Sequence, residues 1–316
     1  MHDVENIRPD MNALATQGSG TRALRIDAHH HLWRFNEVEF AWIDDTMARL
    51  RRDFLAGELR KELEAAMIDA TVAVQARESI EETIWLMECA RSTSAIWGVV
   101  GWAPLAFEVL PDILDCFGHN MKLVGFREVV QGKPDGYLLQ SSFNRGIEEL
   151  THRGFTYDVL IHERQLVEAT QFIDRHPDQR FVLDHAAKPK ICKNELEPWK
   201  TNLRELALRP NVYCKISGLV TEANWQTWSE DSLQPYLDVC VEAFGTKRLM
   251  AGSDWPVCTV AASYTRWWNV LTHYFAGFSE SENRRIFGEN AVEFYNLTVS
   301  SQVSSCLPDL IDYREK

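Results

Sequence analysis

Short apolar runs recur along the whole chain and predict a repeated strand. Each run is nearly continuous in apolarity and is rich in Val, Ile, Leu and Phe. Strands buried on both faces of a parallel sheet have this composition, whereas a half-solvated antiparallel strand alternates apolar and polar positions. The predicted strands are residues 24–31, 71–76, 97–102, 123–129, 156–161, 180–185, 212–218 and 248–254.

Amphipathic segments with helical spacing lie between these runs. Gly154 and Gly245 follow two of them, where the end of a helix favours a left-handed residue. Ser279 and Glu282 have the spacing of a capping box at the start of the segment 279–297, which we expect to form two closing helices. The other predicted helices span residues 57–69, 78–92, 143–154, 163–176 and 231–245.

This alternation predicts an α/β fold, a single (β/α)8 barrel of the TIM type with closing C-terminal helices. A doubly wound open sheet is the alternative, but it would carry a glycine-rich phosphate turn after its first strand, where this chain has histidines. We expect the barrel to span residues 23–297. Residues 1–22 are polar, lack the apolar centre of a signal peptide and predict a disordered extension, and residues 298–316 predict a loose tail.

The net charge and the cysteine pattern limit which binding partners and which cellular compartment are expected for the protein. The 316 residues include 33 Lys and Arg against 46 Asp and Glu, a net charge of -13, whereas nucleic-acid binding needs a basic face. The chain contains no run of about 18 apolar residues, so no membrane-spanning helix is predicted. The cysteines form no CxxC pair, which argues against a zinc ribbon or a disulfide scaffold and for reduced thiols in the cytoplasm. They are Cys89, Cys116, Cys192, Cys214, Cys240, Cys258 and Cys306.

Polar side chains at the ends of three predicted strands are the candidates for chemistry. His29 and His31 alternate onto one face of the first strand, while His30 points to the other face and is expected to have a structural role. His185 ends the sixth strand, and Asp254 ends the eighth. Because the active sites of (β/α)8 barrels lie at the carboxyl ends of the strands, we predict that these groups form the catalytic site.

Three imidazoles and a carboxylate support two chemistries. His29, His31, His185 and Asp254 could hold a single zinc ion, which would lower the pKa of a bound water. Without a metal, Asp254 would take a proton from water while the histidines donate hydrogen bonds to a polarised carbonyl. Either way the predicted reaction is hydrolysis, with decarboxylation as the alternative. Water is the predicted nucleophile, since no GxSxG elbow and no suitable Cys–His pattern occurs.

Six motifs of the chain are DAHHHLW, FREVVQ, YDVLIHERQL, VLDHAAKP, CKISGLVTEANW and RLMAGSDWPVC. Together they resemble the amidohydrolase superfamily and, more closely, its lactonase branch, with sugar-lactone hydrolases of the L-fucono-lactonase type as the nearest pattern. The resemblance covers roughly residues 23–297.

The resemblance implies a (β/α)8 barrel that hydrolyses a cyclic ester to a hydroxy acid. It maps the first-strand HxH of the family onto His29 and His31, the strand-six histidine onto His185, and the strand-eight aspartate onto Asp254. In such relatives the aspartate activates water and the histidines polarise the lactone carbonyl.

The chain departs from the binuclear members of the superfamily. Those carry a bridging Lys or Glu at strand four and separate histidines at strands five and six. Here strand four offers Arg127 and Glu128, and strand five offers Tyr157 and Asp158 with His162 just beyond its end. A two-metal site is therefore not expected, and no metal is expected to be required, with one loosely held zinc as the alternative.

Further polar and aromatic residues near the strand ends are candidates for substrate binding. A polyol lactone needs hydrogen-bond partners and a flat apolar surface, which Arg and Trp supply. The alternative is that the tryptophans pack the barrel mouth and that Lys215 is an interior charge paired to a carboxylate. The candidates are Gln75, Trp102, Arg127, Lys215, Glu222, Trp33, Trp225 and Trp255.

The predicted function is hydrolysis of a sugar 1,4- or 1,5-lactone, such as an L-fuconolactone-like aldonolactone, after a sugar dehydrogenase in a catabolic pathway. Rival hypotheses are a metal-dependent decarboxylase or amide hydrolase on the same barrel, and a non-catalytic barrel that senses sugar acids. The predicted partner is a small-molecule lactone, with no nucleic acid and no membrane. A homo-oligomer is compatible with the fold.

Overall fold

A sheet of eight parallel strands forms the centre of the molecule, as predicted. In this computed structural model, which describes residues 22–118 and 120–298, the strand order follows the chain. Every neighbouring pair is parallel. The strands are β1 (Ile26–His30), β2 (Ala70–Val74), β3 (Ile96–Gly101), β4 (Leu123–Glu128), β5 (Thr156–Val159), β6 (Phe181–Leu183), β7 (Val212–Ile216) and β8 (Leu249–Ala251).

The carboxyl ends of β1 and β8 meet and bring the sheet close to a full barrel. The backbone N–H of His31 donates to the carbonyl of Trp255 at 2.6 Å, and that of Asp254 donates to the carbonyl of His29 at 2.8 Å. These bonds place the first-strand histidines beside the residues that follow β8. The predicted (β/α)8 barrel is confirmed.

The helices include all five predicted between strands, and three more, α3, α6 and α8. These three are short or contain weak helix formers: α3 has eight residues, α6 has nine, and α8 is rich in aromatic and β-branched residues. The helices are α1 (Ala56–Ala66), α2 (Ile80–Ser92), α3 (Leu110–Phe117), α4 (Ser141–Arg153), α5 (Leu166–Ile173), α6 (Trp199–Ala207), α7 (Glu230–Phe244), α8 (Tyr264–Tyr274), α9 (Glu280–Arg284) and α10 (Asn290–Tyr295).

Local sequence signals fix several helix ends. Ser279 and Glu282 form the predicted capping box, and a single π-helical turn, Arg285–Glu289, joins α9 to α10. Gly154 ends α4 at φ 77° in the left-handed region, and Gly245 follows α7 at φ 61°. The two predicted closing helices, α9 and α10, are therefore present, and the π-helical turn between them makes one continuous helical segment.

The apolar core lies around the barrel, where the strands pack against the helices. Leu59 and Leu63 of α1 and Leu203 and Leu206 of α6 are buried against it. All but two strand residues, Val124 and Tyr213, are buried, which explains why the strand sequences lack alternation.

Several predictions concern residues at the edge of the described part. The extension at 1–22 and the tail at 298–316 lie outside the described residues except for Arg22 and Thr298, so both stay predictions, and Cys306 lies outside as well. The other six cysteines are free thiols. Among residues 22–118 and 120–298, the helices are all too short or too polar to cross a lipid bilayer.

Candidate active site

The structure brings His29, His31, His185 and Asp254 together at the carboxyl ends of β1, β6 and β8. The Asp254 Oδ1 atom lies 3.2 Å from His31 Nε2, 3.8 Å from His29 Nε2 and 3.9 Å from His185 Nε2. His29 Nε2 and His31 Nε2 are 3.2 Å apart. All four side chains are buried. The Nε2 atoms of three imidazoles therefore face one carboxylate oxygen.

Each imidazole is held through its other nitrogen. His31 Nδ1 donates to the carbonyl of Val74 at 2.8 Å, and His185 Nδ1 is bonded to Ser217 Oγ at 2.9 Å. A carbonyl only accepts, so His31 carries a proton on Nδ1, and its neutral form has a lone pair on Nε2. This is the arrangement in which outer partners orient histidines toward a metal or a reacting group.

Burial controls the charge of two of the histidines. Burial lowers the pKa of His185 to about 4, against the opposing effect of Asp254 and Asp184. Burial and the nearby Lys215 ammonium hold the pKa of His29 well below its usual value. Burial alone would raise the pKa of Asp254, but its contacts with His185 and His31 lower it. At neutral pH the site therefore combines neutral imidazoles at these two positions with an ionised carboxylate.

The backbone is strained at the two places that present His185 and Asp254. Four successive residues after β6, His185 to Lys188, have φ between 49° and 59°, and Asp254 has φ 58°. Left-handed conformations cost about 1–2 kcal/mol for a residue with a Cβ and are concentrated at functional sites. Trp199 Nε1 stabilises the turn by donating to the carbonyl of Ala186 at 2.7 Å.

Two residues without a predicted role fix this geometry. Asp27 accepts hydrogen bonds from Ser253 N at 2.8 Å and Ser253 Oγ at 2.6 Å, and so holds the segment before Asp254. Gly218, with φ 63°, lies so close that a Cβ there would be 2.7 Å from His185 Nδ1 and 2.9 Å from Asp254 Oδ2. The sequence signal for Gly218 is only its position, two residues after β7.

A network of buried charges lies beneath the histidines. Lys215 Nζ lies 2.5 Å from Asp158 Oδ2, 3.1 Å from Asp184 Oδ1 and 3.0 Å from His29 Nδ1. Arg127 NH1 lies 3.0 Å from Asp184 Oδ2, and Tyr295 OH of α10 donates to Asp158 at 2.8 Å. We call Arg127, Asp158, Asp184 and Lys215 the interior network. Lys215 is thus an interior charge paired to carboxylates. This role is the predicted alternative to substrate binding.

The two carboxylates of the interior network differ in their pKa. Burial alone would raise the pKa of Asp184, but Lys215, His29 and Arg127 hold it well below its usual value. Burial raises the pKa of Asp158 to about 6 against the opposing effect of Lys215. The cations of the network therefore favour Asp184 as the permanent anion under His29.

A cavity of about 580 Å³ opens above His31, His185 and Asp254. Of the predicted substrate-binding residues, Arg127, Glu222 and Trp225 line it, together with His31, His185 and Asp254. The lining residues that sequence reasoning missed come mainly from the loops. They are Glu39, Trp42, Met47, Ala76, Arg77, Glu78, Val129, Gln131, Gly132, Lys133, Leu160, Lys188, Thr221, Val257 and Val260.

Lys215 and four other predicted substrate-binding residues do not line the cavity. Gln75 is fully buried and donates through Nε2 to the carbonyl of Arg127 at 3.2 Å, while the Arg127 guanidinium donates to the carbonyl of Gln75. Trp102 donates through Nε1 to Glu128 Oε2 at 2.9 Å. These contacts make Gln75 a support for Arg127 and tie Trp102 to Glu128, outside the cavity lining.

Trp33 and Trp255 are core residues at the barrel mouth. Trp33 is fully buried and donates through Nε1 to the carbonyl of Arg52 at 2.9 Å. Trp255 packs edge-on against Phe54, with ring centroids 5.4 Å apart. Both tryptophans therefore pack the barrel mouth and do not line the cavity. This is the alternative role predicted for the tryptophans. His30 is fully buried on the other face of β1, and neither of its ring nitrogens has a hydrogen-bond partner among the described residues.

The donor set fits one divalent cation. One ligand atom each of His29, His185 and Asp254 lies within 4.8 Å of the other two, and His31 Nε2 adds a fourth at 3.2 Å from Asp254 Oδ1. Imidazole and carboxylate are standard zinc ligands. A second group, His29, Asp158 and Asp184, has the same spacing, but the ammonium of Lys215 contacts all three.

The barrel and this donor set define a class, the (β/α)8 hydrolases with a polar site at the carboxyl ends of the strands. The amidohydrolase family profile matches residues 26–297, and the chain belongs to that family. The predicted family and the predicted hydrolase are therefore confirmed.

Known relatives support this assignment over most of the chain. L-fucono-1,5-lactonase of Burkholderia multivorans is 38% identical over 287 residues, which cover 87% of this chain and 97% of that protein. L-fucono-1,5-lactonase of Burkholderia ambifaria is 33% identical over 282 residues, covering 86% and 96%. A crystal structure of an amidohydrolase from Burkholderia multivorans with bound zinc is 38% identical and superposes with a TM-score of 0.84, covering 87% of this chain and 100% of that one.

Proposed function

We propose that the protein hydrolyses a sugar lactone, an L-fuconolactone-like 1,4- or 1,5-aldonolactone, to the sugar acid. One observation carries this proposal: the Asp254 carboxylate lies at the cavity floor with three imidazoles around Oδ1. The activity named for the two Burkholderia relatives supports the substrate class. A place in the catabolism of a deoxy sugar such as L-fucose is consistent with that activity.

In the proposed reaction Asp254 is the general base. Its carboxylate takes a proton from water as the water oxygen bonds to the lactone carbonyl carbon. The ring C–O bond then breaks, and the proton passes to the leaving ring oxygen. His29 and His185 flank the place where negative charge develops on the carbonyl oxygen, and His31 can donate there only when it is protonated, since its neutral form has a lone pair on Nε2. Arg127, with NH1 3.4 Å from His29 Nε2, is a cation on the cavity wall beside them.

The proton on His31 favours a bound cation at this site. Donation from Nδ1 to Val74 leaves a lone pair on Nε2, 3.2 Å from an Asp254 oxygen. Two acceptors at this distance repel unless a proton or a cation lies between them. A divalent ion held by His29, His31, His185 and Asp254 would satisfy both, and when bound it polarises a carbonyl and lowers the pKa of a bound water.

The position of the proton on His29 distinguishes a metal-bound site from a metal-free one. If its Nδ1 donates to Asp184 Oδ1, 3.3 Å away, Nε2 is free to bind a metal. If Nδ1 instead accepts from Lys215 Nζ at 3.0 Å, Nε2 carries the proton and donates to the substrate. The first arrangement predicts about one zinc per chain, and the second predicts an enzyme that needs none.

The test is acid release from a panel of aldonolactones, followed with a pH indicator, with and without a strong chelator. Release from one or two deoxy-sugar lactones, absent in Asp254→Asn, is the expected result. Silence on every lactone, with turnover of an amide or an aromatic acid, would replace the proposal by the rival enzymes. Zinc content per chain by elemental analysis of the purified protein and of His185→Asn separates the metal-bound from the metal-free site independently of activity.

A further inference from the structure

Charged side chains on the cavity wall divide into paired and unpaired groups. Arg77 is paired to Glu39 at 2.5 Å, and Lys133 to Glu78 at 3.0 Å. Arg127 is paired within the interior network. These pairs satisfy one another without a ligand, so their charges are available to a substrate only in part.

Lys188 and Glu222 are the exceptions on this wall. Within the described residues, the Lys188 ammonium has no hydrogen bond and no ion-pair partner, and the Glu222 carboxylate has no ion-pair partner. Glu222 accepts a single long hydrogen bond, from Thr221 Oγ1 at 3.5 Å. Both side chains are partly exposed where they line the cavity, so without a ligand their charged groups are left to water. A ligand in the cavity can take the place of that water.

The backbone holds Lys188 at the cavity at a cost. Lys188 is the last of the four left-handed residues after β6, with φ 51°, and its N–H donates to the carbonyl of His185 at 2.8 Å. The same strained turn therefore presents His185 and Lys188 to one cavity. Strain of this kind persists where the surrounding structure enforces a functional geometry.

An aromatic surface accompanies the two unpaired charges. Trp225 lines the cavity three residues after Glu222, and its ring is fixed because Nε1 donates to the carbonyl of Thr221 at 2.8 Å. A flat apolar surface beside hydrogen-bonding groups is the arrangement that binds a sugar ring. Burial raises the pKa of Glu222 against the effect of Lys188, which agrees with a carboxylate that lacks a close partner.

We infer that Lys188 and Glu222 are specificity-determining residues that bind the hydroxyl groups of the lactone ring. Glu222 accepts hydrogen bonds from ring hydroxyls, and Lys188 donates to a hydroxyl oxygen. Neither takes part in breaking the ester bond. This inference rests on the proposed function, and it assigns to the wall a role separate from that of Asp254.

The test compares two substrates of the same ring size, L-fucono-1,4-lactone, which carries hydroxyls, and γ-butyrolactone, which carries none. Lys188→Met and Glu222→Gln should each lower kcat/KM on the first by about tenfold to a hundredfold, the range expected for a lost hydrogen bond to a charged group. The loss should lie mainly in KM, and γ-butyrolactone should be hydrolysed at the wild-type rate. The matched controls are Lys193→Met and Glu195→Gln, both exposed in the neighbouring loop.

Equal losses on both lactones, or no loss on either, would overturn the inference. Thermal unfolding midpoints show whether a variant is folded, and Lys188→Asn is a second variant, since Asn tolerates positive φ. If the wild type opens no lactone, the proposed function is wrong, and calorimetric binding of L-fuconate then decides the inference. Weaker binding in both variants than in the wild type would support it, and equal or absent binding would contradict it.

Discussion

The charges inside the barrel and the charges on the cavity wall differ in their partners. Inside, Lys215 contacts Asp158, Asp184 and His29, and all of these side chains are fully buried. On the wall, Lys188 and Glu222 have no ion-pair partner among the described residues. A paired buried charge holds a structure in place, because breaking the pair strands its partner. An unpaired charge in a cavity is free to bind a ligand.

Asp254 lies between these two regions, and replacing it should have the largest effect. Asp254→Asn removes the proposed base, so turnover should fall at least about a hundredfold, within the range of roughly 10² to 10⁴ for general bases. The fold should persist, because Asn accepts the positive φ of this position. Initial rates and thermal unfolding of the variant and of Asp231→Asn, an exposed control, measure both. Near-normal turnover would remove Asp254 from the mechanism.

Lys215→Met tests the interior network through stability. Without the ammonium, Asp158 loses its cation and Asp184 keeps only Arg127, so the free energy of unfolding should fall by about 3–5 kcal/mol. Denaturant unfolding measures the loss, and Lys193→Met is the exposed control. Adding Asp158→Asn should recover part of it, because the double variant no longer contains the stranded carboxylate. An unchanged unfolding free energy would show that the network does not stabilise the barrel.

The barrel could be predicted because its strands are buried on both faces. Each strand is then a continuous apolar run, and the eight runs stand out from the sequence. Helices α3, α6 and α8 were harder, since α3 and α6 have eight and nine residues and α8 contains two adjacent tryptophans, Trp267 and Trp268. In these helices tertiary packing takes the place of strong local propensity.

The convergence of the histidines and Asp254 could also be predicted, because parallel strands end at the same edge of a barrel. The residues that form the cavity wall could not be predicted in the same way. Lys188 reaches it only through a left-handed turn of non-glycine residues, which no propensity favours. Arg77 and Lys133 reach it from loops held by ion pairs distant in sequence. Trp33 and Trp255 illustrate the reverse, since residues near strand ends also pack the core.

Glu82 differs from both the paired interior charges and the unpaired charges of the cavity wall. It is a buried carboxylate held mainly by backbone N–H groups. Its Oε2 accepts from Ala76 N and Arg77 N, both at 3.0 Å, while burial raises its pKa to about 7. Because the folded pKa lies above the unfolded value of 4.5, the folded protein binds more protons between these values. The stability from this group is therefore present below about pH 4.5 and is lost as the pH rises toward 7, by about 3 kcal/mol.

Glu82→Gln should remove this pH dependence. The amide oxygen can accept both backbone N–H groups, so the local structure is kept without the buried charge. Urea unfolding should show the variant gaining about 3 kcal/mol over the wild type at pH 8 relative to pH 5. Glu88→Gln, exposed on the same helix, should show no such difference. An equal effect of Glu82→Gln at both pH values would show that backbone N–H groups stabilise the charge as well as a cation does.

Gly218→Ala provides the smallest and most local test, because it adds one methyl group where the interior and the cavity meet. The new Cβ would approach His185 Nδ1 to 2.7 Å and Asp254 Oδ2 to 2.9 Å, so both side chains must move. Small misplacements of reacting groups are costly, and turnover should fall by about tenfold to a hundredfold. Gly154→Ala is the matched control, since its φ is also positive, at 77°, but no atom lies within 4 Å of the added Cβ. Both variants should lose about 1–2 kcal/mol of stability from the strained backbone. Only Gly218→Ala should lose turnover, and equal turnover in the two variants would show that the close approach of His185 and Asp254 does not govern the reaction.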